Sequence, residues 1–137
     1  MQETIDRFIP LGTATETCCP ACEEETLRVG SIDDNDVLYC RKCRGFLIGC
    51  ETMGSVVADR RSKYQGPDDI QKPLNSRELQ RNIRCPACQK KMDVHPYHGP
   101  SNVVIDSCSE CHLVWLDHGE LARIEIAPGR RVSAYRS

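Results

Sequence analysis

Cys85-Pro86-Ala87-Cys88 is followed, after 19 intervening residues, by Cys108-Ser109-Glu110-Cys111. The chain carries the same device a second time, as Cys19-Pro20-Ala21-Cys22 and, after 17 intervening residues, Cys40-Arg41-Lys42-Cys43. Two Cys-x-x-Cys pairs at this separation have the spacing of a four-cysteine zinc site. Two residues between cysteines let one tight turn present both sulfurs, and Pro20 and Pro86 help preset that turn. Four thiolates fill zinc's tetrahedral coordination and leave no position for water, which makes such a site structural. The expected ligands are Cys19, Cys22, Cys40 and Cys43 for one Zn²⁺, and Cys85, Cys88, Cys108 and Cys111 for another. Rubredoxin-type iron also accepts tetrahedral sulfur and stays open as an alternative metal. A lone Cys-Pro-Ala-Cys would also suit a redox dithiol, but here each copy has a downstream partner pair.

Composition explains why metal is needed. Of 137 residues 39% are hydrophobic, yet ten of these are cysteines and only 5% of the chain is aromatic. Modules below about 70–80 residues seldom bury enough apolar surface to fold without a metal or disulfides. The start of the chain, with Glu3, Asp6 and Arg7 and a polar stretch from Thr13 to Thr17, does not resemble a secretory signal. The apolar run Phe46 to Cys50 is far short of the roughly 20 residues of a membrane span. A cytoplasmic protein with reduced thiols is therefore expected, without membrane contact. The formal charge of −2 becomes roughly −6 once eight thiolates and two zinc ions are counted.

The repeat sets the expected organisation: an N-terminal segment over 1–17, a first ribbon with its helix over 18–64, a linker with a short helix over 65–84, a second ribbon with its helix over 85–127, and a basic tail over 128–137. In the first copy Thr26–Val29 and Val37–Tyr39 flank a turn-rich Ser31–Asp36, and in the second Met92–Val94 and Val103–Ile105 flank a segment around His98 to Asn102. The fold class is a small metal-stabilised α+β protein: two tandem zinc ribbons, each a β-hairpin with two Cys-x-x-Cys knuckles, each followed by a helix. Asp117 and Glu120 have the spacing of a capping box, with Leu121, Ile124 and Ile126 as the apolar face. Met53, Val56, Val57 and Tyr64 do the same for the first helix, and Leu79 and Ile83 for a short helix from Ser76 to Ile83.

The run Cys108-Ser109-Glu110-Cys111-His112-Leu113-Val114-Trp115-Leu116-Asp117-His118-Gly119-Glu120-Leu121 resembles the transcription factor IIB-type zinc-ribbon family of small prokaryotic proteins. That family ends in Cys-x-x-Cys, a glycine-containing spacer, and Trp-Leu-Asp-x-Gly-Glu-Leu. Leu113 stands where glycine is common. The first copy resembles the family more loosely. Gly45 fits the spacer, and with one residue deleted Phe46 replaces the tryptophan, Ile48 takes the place of Asp117, and Glu51 that of Glu120. The resemblance implies that all eight cysteines bind zinc, and it does not fix a function.

No catalytic triad, phosphate loop or His-Glu-x-x-His motif is present, so no enzyme and no small-molecule substrate are expected. His95, His98, His112 and His118 read as surface or hairpin residues, Cys18 and Cys50 as spare thiols, and Trp115 as packing against the ribbon. A non-catalytic adaptor that presents ribbon surfaces to a protein partner fits the acidity. The alternative is a nucleic-acid-binding, transcription-associated protein using Arg41, Lys42, Arg44, Arg60, Arg61 and Lys63, with Arg130, Arg131 and Arg136 in the tail. A thiol-redox or metal-handling role is a third, minor reading.

Elemental analysis by mass spectrometry is expected to give two zinc ions per chain; one, or iron, would overturn the ligand assignment. Cys88→Ser is expected to unfold the second ribbon, since structural zinc supplies on the order of 10–16 kcal/mol that is also folding energy. Cys18→Ser and Cys50→Ser should leave the zinc content unchanged.

Overall fold

A computed structural model describes residues 8–67, 73, 76–97 and 103–128. The elements run β1 (Phe8–Cys18), β2 (Thr26–Ile32), β3 (Asn35–Tyr39), β4 (Phe46–Gly49), α1 (Cys50–Lys63), α2 (Ser76–Leu79), β5 (Asp93–Pro96), β6 (Val104–Cys108), β7 (Leu113–Leu116) and α3 (Glu120–Glu125). The seven strands form one sheet in the order β1-β2-β3-β4-β7-β6-β5, and every pairing is antiparallel. Both expected hairpins are present. The first closes on Asp33 and Asp34, whose φ angles of 50° and 67° match the left-handed pair that a two-residue hairpin turn requires. The loop around His98 to Asn102, and the tail beyond Pro128, lie outside the described residues.

The two repeats join where β4 pairs with β7, in the register Phe46↔Leu116, Leu47↔Trp115, Ile48↔Val114 and Gly49↔Leu113. Leu47 lies four residues beyond Cys43 and Trp115 four beyond Cys111, so equivalent positions of the repeats face each other across the seam. This corrects the one-residue deletion that placed Phe46 opposite the tryptophan in the repeat. A strand alternates faces with period two, so a slip of one residue reverses every side chain. Phe46 packs with Ile48, Val114 and Leu116 or their neighbours on the helix side, whereas Leu47 and Trp115 share the other face with the cysteines. Without the deletion, Gly49 rather than Ile48 corresponds to Asp117, and Met53 and Val56 correspond to Leu121 and Ile124, all four of the latter buried in one core.

One face of the sheet is thus covered by α1 and α3, through Met53, Val56, Val57, Leu121 and Ile124. The opposite face holds Leu27, Leu47, Ile83, Met92 and Trp115 among the buried cysteines. Trp115 is fully buried, as expected of a packing residue. It also reaches into the other repeat: a Cβ on Gly45 would lie 2.4 Å from its Cζ2 and 2.9 Å from the carbonyl oxygen of Leu116. The glycine expected as a spacer is therefore required by the ring that packs on it.

Two buried arginines tie the helices down. Arg60 grips Asp33 of the hairpin turn with Nε and Nη2 at 2.7 and 3.0 Å, and its Nη1 donates to Glu125 of α3 at 3.3 Å. Arg61 Nη1 donates to the carbonyls of Ile124 and Ala127 at 2.6 and 2.9 Å. It thereby satisfies acceptors that the end of a short helix leaves open. Tyr64 ends α1 as its C-cap, so it does not extend the apolar stripe.

Three expectations differ from the structure in detail. The polar stretch from Thr13 to Thr17 belongs to β1, an edge strand with two irregularities in its pairing to β2. Its threonines suit a strand half in water, and Thr15 Oγ1 donates to the carbonyl of Leu27 at 2.7 Å. The short linker helix stops at Leu79, which is exposed, while Ile83 is buried beyond it. At α3 only half of the capping box forms: Asp117 N–H donates to Glu120 Oε1 at 3.0 Å, while Gly119, at φ 88°, is the N-cap. No helix among the described residues is long and apolar enough to cross a membrane.

Gly45→Ala is expected to lower stability by about 1–3 kcal/mol, the usual cost of forcing atoms into a packed site, with a red shift in Trp115 emission. Chemical denaturation followed by fluorescence measures both; an unchanged midpoint would remove Trp115 as the packing link between the repeats.

Candidate metal centres

Each knuckle is built the same way. In the first site the β1–β2 connection brings Cys19 and Cys22, and the β3–β4 connection brings Cys40 and Cys43. In the second, Cys85 and Cys88 precede β5, and Cys108 and Cys111 flank the turn between β6 and β7. The residue after the second cysteine has a left-handed backbone in all four: Glu23 (φ 59°), Arg44 (67°), Gln89 (68°) and His112 (57°). That conformation folds the chain back so that the N–H groups of Glu23, Arg44 and Gln89 donate to the carbonyls of Cys19, Cys40 and Cys85 at 3.1, 2.8 and 2.7 Å. Backbone N–H groups then point at sulfur: Cys22 to Cys19 Sγ, Cys43 to Cys40 Sγ, Ala87 to Cys85 Sγ and Cys111 to Cys108 Sγ, each at 3.4 Å. None of the four residues is glycine, so the sequence gives little sign of these turns.

The eight cysteines fall into two groups of four, with the sulfurs of each group within 4.8 Å of one another. Cys19–Cys43, Cys22–Cys40 and Cys88–Cys108 sulfurs are each 3.7 Å apart. Two thiolates bound to one zinc at about 2.3 Å with tetrahedral angles lie about 3.8 Å apart. The donor sets fit zinc, and all four coordination positions are sulfur. In each pair the first cysteine is buried and the second half-buried, so the ion would sit under the knuckles, away from solvent. Bare thiols this close do not all ionise together: burial pushes Cys43 up to about 12 and a hydrogen bond shared with Cys88 pushes Cys111 up to about 12, whereas backbone N–H groups lower Cys40, against its burial, and Cys108. A divalent cation supplies the charge that lets all four release their protons.

Residues outside the eight take no part in either group. Cys18 is exposed. Cys50 begins α1, and its N–H donates to the carbonyl of His112 at 2.8 Å. His95 Nε2 is paired with Ser107 Oγ at 2.9 Å. Neither His95, His112 nor His118 joins a metal-binding group among the described residues.

The basic residues weighed for nucleic acid are scattered in role. Arg60 and Arg61 are buried. Arg41 pairs with Glu25 at 3.2 Å, Lys42 with Glu24, and Lys63 with Asp59 at 3.2 Å. Lys90 and Glu110, at 2.8 Å, bridge the two knuckles of the second site as Arg41, Lys42, Glu24 and Glu25 bridge those of the first. Arg44 is the exposed one of the six without an acidic partner among the described residues.

The structure adds a polar cluster that the sequence did not reveal. Arg81, from the segment after α2, forms a two-pronged pair with Asp117, with Nη2 donating to Oδ1 at 3.0 Å and Nη1 meeting Oδ2. Trp115 Nε1 donates to the same Oδ1 at 3.1 Å. Asp106, buried on β6, lies 3.7 Å from Arg81 Nη1. Burial and the neighbouring Asp117 charge push Glu120 up to about 8, against the counteracting hydrogen bond from Asp117 N–H and the charge of Arg81. Burial likewise raises Asp106 to about 6.

Residues 84–125 match the family described as transcription factor zinc-finger, of the transcription factor IIB zinc-ribbon type. No curated protein and no solved structure gives a significant match to the chain.

Glu120 carries a pH consequence. A carboxyl whose pKa is raised on folding binds more protons in the native than the unfolded state, so stability falls as pH rises from about 4.5 to about 8. Glu120→Gln keeps an acceptor for the Asp117 N–H and never ionises. Its melting temperature is expected to exceed that of the wild type by a margin that widens from about pH 6 to about pH 8; a constant margin would contradict the raised pKa.

Proposed function

We propose that this chain, whose second repeat is a zinc ribbon of the transcription factor IIB type, is a non-catalytic cytoplasmic adaptor that binds another protein. The observation that carries this reading is the neutralisation of its basic residues from within. Five of the six side chains weighed for phosphate contact are buried or paired with acids: Arg60, Arg61, Arg41, Lys42 and Lys63. Among the described residues these six side chains give a polyanion no continuous basic face, and a metallated charge near −6 opposes it further. Two closed four-sulfur sites offer no open metal position for chemistry, which supports a role without catalysis. Ile9 and Leu11, alternate residues of the edge strand β1, are 49% and 57% exposed, an apolar stretch of the kind that suits a protein contact. Reduced thiols support a cytoplasmic setting.

Titration of labelled duplex and single-stranded DNA, over a salt series, is expected to give affinity no tighter than the ~10⁻⁴–10⁻⁶ M of nonspecific binding at physiological salt. A pull-down from nuclease-treated lysate should still retain its protein partner. Submicromolar binding with a steep salt slope, abolished by Arg41→Ala and Arg44→Ala, would replace the adaptor reading with the nucleic-acid one.

A further inference from the structure

Arg81 holds its place on the second ribbon in an incomplete way. Its guanidinium satisfies Asp117, but Nη1 stops 3.7 Å from Asp106 Oδ2, beyond hydrogen-bond reach. The other oxygen of Asp106, on a side chain only 3% exposed, has no hydrogen-bond partner. A buried carboxylate oxygen left unpaired is costly, and such groups in a folded protein call for a ligand or water. Arg81 is also tethered: two residues on, Ile83 is buried and its carbonyl accepts the N–H of Met92 at 2.9 Å, which anchors the backbone close to the guanidinium. Asp106, Asp117 and Glu120 thus lie around Arg81, which completes only Asp117, while His95 is a second basic group facing Asp106.

We propose that the acidic pair of Asp106 on β6 and Asp117 at the end of β7 is a receptor for an arginine side chain of a partner protein, and that Arg81 occupies it in the unbound chain. The inference rests on the adaptor reading and names the chemistry of the contact. This pair already selects a guanidinium: Trp115 Nε1 fixes Asp117 Oδ1 at 3.1 Å, which orients the carboxylate for the two parallel bonds that arginine makes and lysine cannot. An arginine from outside is free of the Ile83 tether and reaches Asp106 as well. Displacement of Arg81 disturbs little else. The adjoining α2 has no buried residue, Leu79 before it is 37% exposed, and Gln80 and Asn82 on either side are exposed. The arginine of the partner therefore exchanges for Arg81 without unfolding either ribbon.

The test uses the full zinc-loaded chain and a fluorescein-labelled Gly/Ser peptide bearing two arginines, with a citrulline peptide of the same length as the uncharged control. Arg81→Ala is expected to bind the arginine peptide at least about tenfold tighter than the wild type, and the citrulline peptide no better. Binding should move the indole N–H resonance of Trp115, the single tryptophan, and Asp117→Asn in the Arg81→Ala background should abolish it. Should Arg81→Ala lose zinc, Arg81→Gln serves in its place, since it keeps much of the side chain's packing. Equal affinity for wild type and variant, or tighter binding that ignores Asp117→Asn, overturns the receptor and leaves Arg81 as a structural latch. Either result leaves the adaptor role itself to the nucleic-acid titration.

Discussion

The coordination of one cation by four thiolates is the constraint from which the rest of this structure follows. Sulfurs 3.7 Å apart can all be ionised only around a metal, and a metal with four sulfurs demands tetrahedral placement. That placement forces each Cys-x-x-Cys pair into a knuckle, and each knuckle into a left-handed exit at Glu23, Arg44, Gln89 or His112. The exits of the second knuckles aim β4 and β7 away from their sites. Metal thus supplies what a chain with so few aromatic residues cannot supply through a core alone.

The aimed strands then meet. β4 and β7 pair antiparallel with Leu47 opposite Trp115, so the two ribbons share one sheet instead of standing as separate beads. Helices α1 and α3 fall on one face, and both sites fall on the other with Trp115 among their cysteines. The arginines complete the division of labour: Arg60 and Arg61 bind the helix side together, and Arg81 ties the linker to the metal side. Of the charge that looks available for a polyanion in the sequence, Arg60 and Arg61 are committed inside the fold, and Arg41, Lys42 and Lys63 to acidic partners on the surface.

What could be read in the sequence was whatever spacing alone determines. The eight ligands, two hairpins and two helices after the second knuckles follow from Cys-x-x-Cys repeats and local periodicity. The register of the first repeat did not, because matching Phe46 to the tryptophan and Glu51 to Glu120 needed a one-residue deletion that strand alternation forbids. β1 was hidden by its polarity, since an edge strand need not carry an apolar pattern. Arg81 was hidden by distance: its partner Asp117 is 36 residues away, and no local signal joins a linker arginine to a strand-end carboxylate. A longer separation, 65 residues from Arg60 to Glu125 and 63 from Arg61 to Ile124, concealed these two, which look like a solvated basic patch until α3 is placed beside α1.

Zinc K-edge X-ray absorption on the purified protein tests the organising claim most directly. Each zinc is expected to be surrounded by four sulfurs at about 2.3 Å. A nitrogen or oxygen ligand at about 2.0–2.2 Å would mean an open or mixed site, and would contradict the closed structural role on which the fold and the adaptor reading stand.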